Sequence, residues 1–90
     1  MQDKLHEGHR GRLKTRFLEE GLDGFEDHQV LELLLFFSIP RKDTNVIAHQ
    51  LLKKFGSLTG VFDADPKDLA KTSGIGENSS VLLSLIPSLT

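Results

Sequence analysis

Val30-Leu31-Glu32-Leu33-Leu34-Leu35-Phe36-Phe37 is apolar at every position but Glu32, and Ser38-Ile39-Pro40 follows it. The residue before a proline is pushed out of the helical region. A helix over about 27–37 therefore ends there, with Asp27 as its expected N-cap. A helix apolar almost all round belongs in the middle of a core or against a partner. The run falls far short of the roughly 20 apolar residues that span a bilayer, so no membrane segment is expected. The rest of a 90-residue chain must then wrap this helix. A chain of that size supplies one hydrophobic core and not two. Central burial is the expected state of the helix, and a partner or self-association surface is the alternative.

The flanking sequence reads as more helix. Leu13 and Phe17 share a face in a segment over about 9–20, closed by Gly21; Gly8 and Gly11 weaken its start, so residues 1–8 are expected to fray. Ile47, Leu51 and Phe55 form a stripe in a segment over 44–55, capped by Asp43 or Thr44 and closed by Gly56. Leu58, Val61 and Phe62 mark a short piece over 57–62. Asp65-Pro66 gives a cap and then proline at the first helical position, opening a segment to about Thr72 that buries Leu69. A last helix over 77–86 is expected to turn Val81, Leu82, Leu85 and Ile86 inward, and Pro87 closes it. No alternating run suggests a strand. The expected fold is all-α, a compact bundle of five to six short helices forming a single domain over 9–90.

Composition excludes several chemistries. Cysteine is absent, which removes disulfides, thiolate zinc sites and cysteine nucleophiles. It also fits a cytoplasmic protein, as does the polar N-terminal stretch with no apolar signal region. His6 and His9 flank Glu7-Gly8, one residue short of the His-Glu-x-x-His zinc spacing. His28 and His49 show no spacing to a serine or aspartate that marks a triad. Glu19/Glu20 and Glu26/Asp27 read as solvated surface. No catalytic residue, metal ligand or cofactor is expected.

The stretch most suited to binding is Lys71-Thr72-Ser73-Gly74-Ile75-Gly76-Glu77-Asn78. A helix runs into a Gly-Ile-Gly turn and a second helix starts at once. Glycines permit unusual backbone angles and close approach by another molecule. The first amides of the second helix lack intrahelical acceptors and carry the positive end of its dipole. Together these make a seat for a phosphate. Ile75 plugs the core, while Ser73, Asn78, Ser79 and Ser80 add donors. This is the helix-hairpin-helix pattern, placed at 65–86. The other reading is a tight turn that binds nothing and whose glycines serve packing alone.

Charge is segregated along the chain. Arg10, Arg12, Lys14 and Arg16 give residues 9–16 a charge of +4, whereas residues 17–40 carry six acids and no base. Arg41-Lys42 follows Pro40, and Lys53-Lys54 ends the 44–55 helix. The 9–16 run either reaches a polyanion past the core or balances the acidic stretch beside it. Net charge is only −2, so no global field draws the chain to nucleic acid and any anion site is local.

In order along the chain stand His9-Arg10-x-Arg12-Leu13-x-x-Arg16-Phe17, Asp27-His28-x-x-Leu31-Glu32-Leu33-Leu34-Leu35, Ile39-Pro40-Arg41-Lys42-Asp43-Thr44-Asn45, Phe55-Gly56-Ser57-Leu58 and Gly74-Ile75-Gly76-Glu77. Over about residues 6–89 the chain resembles the N-terminal region of the RadC family, bacterial proteins historically named for DNA repair. The stretch Leu51–Ile75 is also similar to the tandem helix-hairpin-helix domains of excision-repair nucleases. The resemblance implies a helical module that binds DNA without sequence preference. It also implies a separate C-terminal JAMM/MPN-type metalloprotease-like domain with a His-x-His zinc motif. No His-x-His occurs here, so that domain is expected to be absent and the chain to be non-enzymatic. One departure stands out: DNA-binding hairpins usually carry Lys or Arg after the second glycine, and here Glu77-Asn78-Ser79-Ser80 takes that place.

Two functions follow as expectations. The first is weak, non-specific DNA binding through Ser73, Gly74, Ile75, Gly76, Glu77 and Asn78. Lys71, Lys53, Lys54, Arg41, Arg10, Arg12, Lys14 and Arg16 would assist. The second is a protein-interaction or dimerisation module that tethers the absent metalloprotease-like domain.

Overall fold

The computed structural model describes the backbone of residues 2–89 and the side chains of residues 8–89. Met1, within the segment expected to fray, and the His6 side chain lie outside the described residues. Six α-helices follow one another: α1 (Gln2–Glu20), α2 (Asp27–Leu35), α3 (Thr44–Phe55), α4 (Leu58–Asp63), α5 (Pro66–Leu69) and α6 (Glu77–Leu85). A 3-10 turn at Ile86–Leu89 closes the chain. There is no strand among the described residues, and the fold is all-α.

Most of the punctuation read from the sequence is present. Asp43 caps α3 by accepting from the Asn45 amide at 3.0 Å, and Asp65 caps α5 through the Lys67 amide at 2.8 Å. Gly21 and Gly56 take φ of 70° and 87°, the left-handed geometry that ends a helix. Ser57 caps α4 through the Gly60 amide.

Several boundaries and one phase differ from the expectation: α2 ends at Leu35 rather than near Phe37, and α5 ends at Leu69 rather than near Thr72. Helix α1 starts at Gln2 rather than near His9. Its middle is anchored to the fold at His9, Arg10 and Leu13, and a nucleated helix propagates in both directions, so Gly8 and Gly11 become interior residues. The N-cap of α2 is Glu26, not Asp27; the Gln29 side chain reaches back to accept from the Glu26 amide at 2.9 Å. Helix α6 is rotated from the expected phase. Leu83, Ser79 and Ser80 are buried, whereas Val81 and Leu85 are exposed. The small serines let α6 approach closely, and the Ser79 and Ser38 hydroxyls share a hydrogen bond of 2.8 Å. A polar residue on the inward face hid this phase.

The core gathers Leu31 and Leu35 of α2 with Ile39, Ile47, Ala48, Leu51, Val61, Leu69, Ile75 and Leu83. Each fully covered leucine here contributes about 1.5–3 kcal/mol. Helix α2 is central, but not all round. Leu31, Glu32 and Leu35 are sealed, while Phe37 just beyond it is 73% exposed. Leu13 is the buried apolar anchor of α1.

Candidate nucleic-acid interface

The two glycines of the Gly-Ile-Gly turn have different physical tasks. Gly74 has φ of +88°, and a Cβ placed there would stand 2.6 Å from Cδ1 of Ile47. Both facts require glycine for the fold itself. Ile75 is buried, as expected of a plug, and its amide donates to the Thr72 carbonyl at 3.0 Å. Gly76 is another matter. Its φ of −101° and ψ of −165° suit any residue, and a Cβ there would meet nothing within 4 Å. Neither backbone strain nor packing asks for glycine at this position. As the N-cap of α6 it brings no side chain to the first-turn amides, which are left for an outside acceptor.

Opposite this turn lies the loop after α2. Ser38, Ile39, Pro40, Arg41 and Lys42 form one wall of a groove of about 570 Å³, and Gly74, Gly76, Glu77, Asn78 and Ser79 form the other. The Ser38–Ser79 hydrogen bond fastens the two walls together. Arg41, Lys42, Gly76, Glu77 and Asn78 are all exposed. The groove therefore pairs two cations with a helix N-terminus, an arrangement suited to anionic oxygen. Glu77 places one carboxylate in the same field.

The remaining basic residues separate by what they touch. Arg10 is buried: its guanidinium donates to the Lys42 carbonyl at 2.9 Å and the Phe36 carbonyl at 3.4 Å, over the Phe36 ring. Burial pushes its pKa down from the usual arginine value. Arg16 bonds to the Gly24 carbonyl, pairs with Glu20 at 3.7 Å and lies over Phe25. Both arginines hold α1 to the fold. Lys14 rests on the Phe37 ring. Lys54 donates to the Asp68 carbonyl at 3.1 Å, and Lys71 pairs with Asp68 at 3.4 Å, which ties up both near α5. Arg12, Lys53 and Ser73 are exposed, away from the groove's lining. The structure thus unites Arg41 with the turn and leaves the 9–16 run on α1.

Sequence reasoning missed a polar cluster around Glu32. This carboxylate is fully buried. Its Oε1 accepts from His9 Nε2 at 3.0 Å, and its Oε2 accepts from His28 Nδ1 at 3.0 Å and Asn45 Nδ2 at 3.4 Å. His28 in turn stacks on His49, with ring centroids 4.4 Å apart. One carboxylate thereby joins α1, α2 and α3. The available signal was an acid inside an apolar run, since a buried charge requires partners. Among the described residues, no group of three His, Cys, Asp or Glu is arranged to hold a metal ion. No described helix is long and apolar enough to cross a membrane.

Comparison with known proteins finds relatives of this chain by sequence. The chain is 46% identical over 89 residues to a UPF0758 protein of Fusobacterium nucleatum, covering 99% of this chain and 38% of that protein. It is 44% identical over 69 residues to a UPF0758 protein of Ruegeria pomeroyi, covering 77% of this chain and 31% of that one. The chain thus spans about a third of the length of these relatives. No family model matches it. No solved structure matches it.

Proposed function

From the premise that this chain's homologues are UPF0758 proteins, the family name used for RadC-like proteins, we propose that it is a non-enzymatic helix-hairpin-helix module that holds the sugar–phosphate backbone of DNA without reading sequence. The observation that carries this reading is Gly76. A residue free of strain and of neighbours has no internal need to be glycine, but close approach of a phosphate to the α6 amides does need it. Arg41 and Lys42 on the facing wall supply exposed positive charge. Contacts of this kind position a backbone and carry no base information. Binding is weak, because few cations converge and Glu77 opposes them.

Fluorescence anisotropy with duplex and single-stranded DNA at low and moderate salt tests the reading. With about three or four phosphates neutralised, log affinity should fall against log salt with a slope near −3. Gly76→Glu should abolish binding and leave helicity intact. Binding that survives this substitution would move the seat to α1, and absence of any salt-dependent binding would remove the function. A second reading, a tether to the remainder of a longer protein, draws support from the roughly one-third span of the relatives.

A further inference from the structure

The apolar surplus of α2 opens onto a groove of about 850 Å³ that shares no lining residue with the Arg41–Gly76 groove. Phe17 and Leu18 of α1, Leu22 of the following turn and Phe37 dominate it, at 39%, 81%, 47% and 73% exposure. Taking large apolar side chains as roughly 150–250 Å² each, these four expose on the order of 400 Å², the size of the largest apolar patch on a typical monomer, which is often functional. A standard interface buries about 800 Å² per partner, a little over half of it apolar. The patch supplies what one such interface needs.

The charges in this groove identify its occupant. Lys14 and Asp27 are its charged lining residues, one of each sign. Neither meets an opposite charge among the described residues. A partner must bring an acid to Lys14, a base to Asp27 and an apolar patch between them. This same surface, turned about a two-fold axis, brings all three, since a two-fold interface pairs each residue with its complement twice over. The chain's net charge of −2 sets little repulsion against it. We propose that this groove is a homodimer interface in which Lys14 of each copy faces Asp27 of the other. The two grooves share no lining residue, and the proposal does not rest on DNA binding.

Sedimentation equilibrium of the chain from micromolar to millimolar concentration reads it out. The chain should dimerise. Lys14→Asp and Asp27→Lys, each confirmed folded by circular dichroism, should each raise the dissociation constant at least about tenfold by setting like charges opposite one another. An equimolar mixture of the two variants should recover association to within about threefold, because each then supplies the sign the other lacks. Leu18→Glu, at a position with no packing role, should give a monomer by itself. A wild-type chain monomeric throughout, a dimer unmoved by Leu18→Glu, or a mixture that fails to recover would each overturn the proposal.

Discussion

A Cβ on Gly74 would sit 2.6 Å from Cδ1 of Ile47, so the Gly-Ile-Gly turn is pressed directly onto α3. Gly76, two residues on, faces open space. The two glycines should therefore differ sharply in their response to the same substitution. Gly74→Ala adds a side chain at positive φ and overpacks the core, costs that together amount to about 2–4 kcal/mol. Gly76→Ala should cost about 1 kcal/mol at most, the preference for glycine over alanine at an N-cap. Urea denaturation of both variants measures the difference, and equal effects would remove the distinction on which the proposed binding site rests.

The Glu32 carboxylate has three donors from three helices and no exposure. Glu32→Gln replaces one acceptor oxygen by a donor, which then meets an imidazole N–H or the Asn45 amide. We expect a loss of about 1–3 kcal/mol, the usual cost of a buried unsatisfied group. His9→Ala should cost less, about 1 kcal/mol or under, because His9 is part exposed and water can take its place at the carboxylate. Chemical denaturation should rank the two variants in this order.

What the sequence discloses here follows local chemistry. The caps at Asp43 and Asp65 and the stops at Gly21 and Gly56 are legible because each acts through its own neighbouring backbone. The Gly74–Gly76 turn is legible for the same reason. The phase of α6 is not, since Ser79 and Ser80 face inward against Ser38 and no apolar period registers them. The basic run of α1 misleads in a related way. Arg10 and Arg16 look like surface cations, but the Arg10 guanidinium answers the carbonyl of Lys42, 32 positions away, and that of Arg16 reaches past the end of α1 to the Gly24 carbonyl. The groove between Arg41 and Gly76 is likewise a product of packing, since it joins residues more than thirty positions apart along the chain.

This division of the basic residues makes Arg10 and Arg41 separable by experiment. Arg10 spans from α1 to the Phe36 and Lys42 carbonyls. A lysine in its place keeps the charge but loses the planar fork that reaches both acceptors, so Arg10→Lys should lower stability by about 1–2 kcal/mol. Arg41 is exposed and makes no such contact. Arg41→Ala should leave stability within about 0.5 kcal/mol, weaken DNA binding and reduce the magnitude of the salt slope by about 1. Paired denaturation and anisotropy measurements on both variants check the assignment. A loss of stability from Arg41→Ala would place that residue in the fold instead.

Glu77 is the residue at which fold and proposed function compete. At the first position of α6 its carboxylate answers the positive helix end, worth about 0.3–1 kcal/mol at an exposed site. A phosphate drawn to the same amides meets that negative charge. Glu77→Gln removes the charge and keeps the size. We expect the helix to lose up to about 1 kcal/mol, while DNA affinity at low salt rises about two- to fivefold, the equivalent of that same interaction energy. The gain should shrink as salt is added, because an exposed repulsion is screened over about 10 Å at 0.1 M ionic strength. An affinity unchanged by Glu77→Gln at low salt would mean that no phosphate reaches the α6 terminus, whatever the basic residues elsewhere do.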